Sequence, residues 1–133
     1  MRSWANGSGY RDRVYNLDMK DWTVIQERYM RDELSVRLGG LAANLSRIKS
    51  FSANEASRET VASLIDESKM FIEWTAAQAE IDTAAMMVDV QVQLSLWQIR
   101  WDRIWANPAE RKQIAEQSGI WSKQILELSG LLK

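Results

Sequence analysis

Beyond Lys20 the apolar residues recur every three or four positions rather than alternating, and a single proline, Pro108, interrupts the pattern. That spacing stacks side chains along one face of a 3.6-residue helix, so the chain is predicted to be all-α. Start and stop signals divide it into an irregular N-terminal arm, residues 1–20, and one domain of four helices, residues 21–133. In the arm Gly7, Ser8 and Gly9 signal a loop, and Trp4, Tyr10, Val14, Tyr15 and Leu17 are stray apolar groups that need cover.

The first helix is expected over about 21–50, opened by Asp18 or Asp21, whose carboxylates accept from orphan backbone amides. Leu34, Leu38, Leu41, Leu45 and Ile48 form its buried stripe. Ser52 and Glu55 have the spacing of a capping box, with Phe51 as its staple, and open a second helix over about 53–74. Its stripe is Val61, Leu64, Ile65, Phe71 and Ile72, with Ser68 and Thr75 as smaller members. No glycine or proline lies between Ser52 and Asn107, so the next boundary rests on caps alone. Thr75 followed by Gln78 is preferred over Asp82, giving a third helix over about 76–106. Asn107, Pro108 and Glu110 supply a cap, a proline at the first helical position and an acidic third residue for a fourth helix over about 108–129. Ile114, Ser118, Trp121, Ile125 and Leu128 form its stripe, and Gly130 followed by Leu131 ends it. Four helices with short connections imply an antiparallel up-and-down four-helix bundle.

The third helix has two apolar faces. At 100° per residue Ile81, Ala85, Val88, Val92, Leu96 and Ile99 fall on one side, and Met86, Met87, Val90, Leu94, Trp97, Trp101, Ile104 and Trp105 on the other. Gln91, Gln93, Gln98, Arg100 and Asp102 fill the strips between. An outer helix of a bundle needs one stripe, so a helix with two is sandwiched between layers. The tryptophan side is expected to be the surface that meets something further. A homodimer is the expected assembly, since two-fold pairing through a Trp- and Met-rich helix suits a self-complementary interface. The alternatives are the arm folding back, a protein partner, or an apolar or aromatic small molecule in a Trp/Met-lined pocket. Gly39 and Gly40, beside Val36 and Ala43, permit a second helix to approach the first closely, or are a tolerated surface pair.

Composition narrows the chemistry. Hydrophobic residues make up 46% of the 133 and charged ones 26%, as in an ordinary folded domain. With neither cysteine nor histidine there is no disulfide, thiol nucleophile, Ser-His-Asp constellation or histidine-containing metal site. The carboxylates Asp66, Glu67, Glu73, Glu80, Asp82 and Asp89 form no calcium-loop pattern, and no Gly-rich phosphate loop is present. No catalytic, metal-ligating or cofactor-binding residue is therefore assigned, and the chain is expected not to be an enzyme. Trp97, Trp101 and Trp105 step along one face beside Arg100 and Arg103, an arrangement able to stack bases. A net charge of −1 without a basic run argues against nucleic acid. Residues 51–99 hold eight acidic and two basic groups, so the second helix and the start of the third are acidic. The opening residues lack the apolar run of a secretory signal, and Val90 to Ile99 is too short and too rich in glutamine to span a bilayer. A cytoplasmic helical interaction module without membrane insertion is the resulting expectation.

Overall fold

The computed structural model describes residues 20–131, and among them the regular elements are six α-helices and two short 3₁₀ turns, with no strand. The helices are α1 (Trp22–Met30), α2 (Leu34–Phe51), α3 (Arg58–Thr75), α4 (Ile81–Ile99), α5 (Trp101–Ala106) and α6 (Pro108–Ser129). Residues 1–19, which hold nearly all of the expected arm, lie outside the described residues, as does Asp18.

Local capping chemistry sets several boundaries where the sequence places them. Asp21 caps α1 by accepting from the Val24 amide at 3.2 Å. Asn107 caps α6 by accepting from the amides of Ala109 (2.9 Å) and Glu110 (3.4 Å), with Pro108 at the first helical position. Gly130 ends α6 in the left-handed region at φ 81°, a conformation that disfavours any residue with a Cβ.

Four expectations are corrected. The first helix is not continuous: it breaks at residues 31–33, where Arg31 and Asp32 donate back to the carbonyls of Arg28 and Tyr29, tightening the last turn of α1. Side-chain hydrogen bonds across that break hold it. The Tyr29 hydroxyl donates to the Arg37 carbonyl at 2.7 Å, and the buried Arg37 donates from Nε to the Asp32 carbonyl at 3.1 Å. Ser52 does not open a capping box. It is the buried residue that ends α2, while Asn54 accepts from the Ala56 amide to start a 3₁₀ turn, Glu55–Ser57, before α3. Neither Thr75 nor Asp82 caps the third helix. Thr75 is the last residue of α3, a 3₁₀ turn (Ala76–Gln78) follows, and Glu80 precedes α4 without a side-chain cap. Finally, Arg100 adopts φ −104° and ψ 17°, so the expected 76–106 helix is two, α4 and α5.

The core lies where the stripes meet. α2 packs along α6 and against α3, α3 packs on α4, and α5 rests on α6. Leu38, Leu41, Leu45 and Ile48 of α2 meet Val61, Ile65 and Ile72 of α3 and Ile114 and Ile125 of α6, all buried. Leu128, expected in the α6 stripe, is exposed, and Ser129 takes the buried position. α1 crosses the end of α3 through aromatic rings: Tyr29 stacks on Phe71 with centroids 3.8 Å apart, and Trp22 meets Trp74 edge-on at 6.1 Å. Burial pushes the Tyr29 hydroxyl up from its ordinary 10.0 to about 12, against a smaller opposing effect of its hydrogen bond with Thr75.

The glycine pair is explained within the chain. A Cβ on Gly39 would lie 2.6 Å from Leu131 Cδ1, so its absence lets the residue after the α6 cap fold over α2. Gly40 faces the Tyr29 ring edge at 3.5 Å, ordinary contact distance.

Candidate interaction surface

The rotation of α4 about its own axis decides which of its two faces is available. Two glutamines between the faces set it. Gln98 donates from Nε2 to Asp66 and accepts from Lys69 Nζ, each at 2.6 Å. About two turns earlier, on the same edge, Gln91 donates to the Lys69 carbonyl at 3.2 Å and to Glu73 at 3.1 Å. All three partners lie on α3, so the glutamine edge of α4 is tied to that helix. The sequence reading placed these glutamines on a dividing strip without identifying them as clamps, because their partners are 18 to 32 residues away.

With that edge fixed, the tryptophan side turns inward. Met87, Val90, Leu94, Ile104 and Trp105 are buried in the core, and Met86, Trp97 and Trp101 are partly buried against it. Trp97 packs on Trp121 of α6 (centroids 5.3 Å) and Trp101 on Trp105 (5.2 Å). The Trp105 indole donates to the Glu55 carbonyl at 2.9 Å, while Arg111 lies over its ring and donates to the Trp105 carbonyl. All eight expected interface residues are thus occupied by contacts within the chain, which corrects the expectation that this side awaits a partner. A Trp/Met-lined pocket is likewise not what they form. A cleft of about 440 Å³ between α4–α5 and α6 includes only Trp97 and Ile104 of the eight. It opens to solvent and is lined mainly by Arg100, Arg103, Glu110 and glutamines.

The opposite side is the open one. Ile81 is 80% exposed, Ile99 79%, Val92 52% and Val88 46%, with Ala85 exposed between them and Leu96 half-buried. One isoleucine left in water at each end of the helix with exposed valines between them is the informative observation, since single surface apolar residues need no explanation but a contiguous stripe does. Glu80 and Asp82 flank its start, Arg100 and Arg103 its end, and all four are exposed. Glu80, Asp82 and Arg100 make no ion pair among the described residues, whereas Arg103 lies 3.6 Å from Glu110.

The carboxylates form no reactive cluster: among the described residues no group of three or more aspartates and glutamates is placed to hold a metal ion. Glu73, Asp66 and Glu67 instead accept hydrogen bonds from Gln91, Gln98 and the buried Asn44 respectively. No helix among the described residues is long and apolar enough to cross a membrane. Comparison with protein-family models, curated proteins and solved structures gives no match to this chain.

Proposed function

We propose that this chain is a non-enzymatic helical interaction module whose docking surface is the outer stripe of α4. The observation that carries the reading is the exposure of Ile81, Val88, Val92 and Ile99 along one line of one helix. Burying such side chains against a partner gains roughly 25 cal/mol for each Å² removed from water, and leaving them open does not help the fold. The absence of histidine and cysteine from the whole chain favours a binding role over a catalytic one. The long helices α2, α3, α4 and α6 are read as an up-and-down four-helix arrangement, with α1 and α5 as side branches. A bundle of this kind presents its helix faces as rigid platforms for another helix.

Thiol labelling tests the surface without naming its occupant, because the chain supplies no cysteine of its own. In cells expressing Val92→Cys or Ile99→Cys, maleimide should react several-fold more slowly than with Lys112→Cys, an exposed position on α6. Equal rates at all three positions would sink the docking reading.

A further inference from the structure

We infer that the occupant of the α4 stripe is a second copy of this chain, its α4 lying antiparallel to the first across a two-fold axis near residue 90. This rests on the docking reading above and adds its partner and geometry. Three features of α4 point the same way.

The first is spacing. Ile81, Ala85, Val88, Val92, Ser95 and Ile99 follow one another at intervals of 4, 3, 4, 3 and 4, the alternation that keeps a seam facing a partner helix over the whole length of α4. The second is symmetry. Reversing the helix about residue 90 exchanges Ile81 with Ile99, Ala85 with Ser95 and Val88 with Val92. These six positions therefore map onto themselves, isoleucine opposing isoleucine at the ends, valine opposing valine at the centre and the small Ala85 and Ser95 opposing each other between, while the half-buried Leu96 lies at the margin of the seam. An antiparallel two-fold interface requires that self-complementarity; a parallel one does not.

Charge is the third and decides the direction. α4 begins between Glu80 and Asp82 and is followed by Arg100 and Arg103, all exposed. Antiparallel pairing brings the acidic end of each copy to the basic end of the other, and Asp82 and Arg100, each one residue beyond an isoleucine of the stripe, share the edge on which they would meet. Parallel pairing would instead collect four carboxylates at one end and four guanidinium groups at the other. The helix dipoles favour the same arrangement, since opposed macrodipoles attract. Doubled across two copies, the exposed apolar area is on the order of 1,000 Å², the lower bound of a specific interface.

Sedimentation equilibrium of the full chain, from about 1 to about 100 µM, should show a reversible monomer–dimer equilibrium. Asp82→Arg and Arg100→Glu should each weaken it about tenfold, and the double variant Asp82→Arg/Arg100→Glu should restore it. Within one chain these positions sit about 27 Å apart along the helix, so rescue can arise only between copies. Direction is read by cross-linking: an oxidised mixture of Ile81→Cys and Ile99→Cys chains should give the mixed disulfide in preference to either self-linked species. A dimer in which Ile81→Cys links to itself, or one unaffected by Val88→Asp, overturns the inference. So does a monomer at every concentration. In that case slow labelling of Val92→Cys would mean that residues 1–19 or another protein cover the stripe, and fast labelling would sink the docking reading as well.

Discussion

Tyr29 joins three elements through one hydroxyl: it donates to the Arg37 carbonyl on α2, receives the Thr75 hydroxyl from the end of α3, and stacks its ring on Phe71. Its raised pKa makes stability depend on pH. The unfolded chain ionises this group near 10 and the folded chain near 12, so the neutral form's contribution is complete below pH 10 and is lost as pH rises toward 12. The whole effect is on the order of 3 kcal/mol. Tyr29→Phe should therefore cost about 1 kcal/mol at pH 8, where the hydrogen bond is lost, and close most of that gap by pH 11. Urea unfolding of both chains at each pH checks this, and a gap that stays constant would place the hydroxyl in water. Ser68 and Ser118 are the opposite case, since both hydroxyls are buried without a hydrogen-bond partner among the described residues. Replacing either by alanine removes an unsatisfied group and almost no volume. Ser118→Ala should leave the thermal midpoint unchanged or raise it by an amount equivalent to about 1 kcal/mol. A clear loss would mean the hydroxyl has an uncounted partner.

Element boundaries were legible where their cause is local. Asp21, the Asn107–Pro108–Glu110 cap and Gly130 all work through atoms within four residues, and the sequence shows each of them. The breaks at residues 31–33 and at Arg100 were hidden because no glycine or proline marks them; they are held by Tyr29 reaching Arg37 and by Trp105 reaching Glu55. The two faces of α4 were likewise visible as a pattern, but which one faces inward depends on α3. Size offers a signal in hindsight: tryptophan and methionine bury more area per residue than valine and isoleucine, so the richer stripe belongs in the core. The Gln98 clamp can be measured as an interaction between elements. Gln98→Ala and Lys69→Ala should each destabilise by under about 1 kcal/mol, as partly exposed contacts do, and together by less than their sum. Strict additivity in the double-mutant cycle would show that the two side chains do not act on one another.

On the scale of the whole molecule, the assignment of inside and outside can be tested with two substitutions on one helix. Leu94 is wholly buried between α4 and its neighbours, while Ile99, five residues on, is 79% exposed. Helix propensity hardly separates the two replacements by alanine, so any difference in effect reports packing. Leu94→Ala should cost about 2 to 5 kcal/mol, the range for a leucine removed from a core that collapses only in part. Ile99→Ala should leave the stability of the dilute protein within about 0.5 kcal/mol, as surface changes usually do. The two should also separate by concentration. The deficit of Leu94→Ala belongs to the fold and persists at every dilution. A deficit of Ile99→Ala should appear only as protein concentration rises, because binding between folded chains stabilises by mass action and the variant forfeits that part. Thermal unfolding at about 1 µM and about 100 µM distinguishes them. Equal and concentration-independent losses would place both side chains in the same core and remove the ground for an outer face on α4.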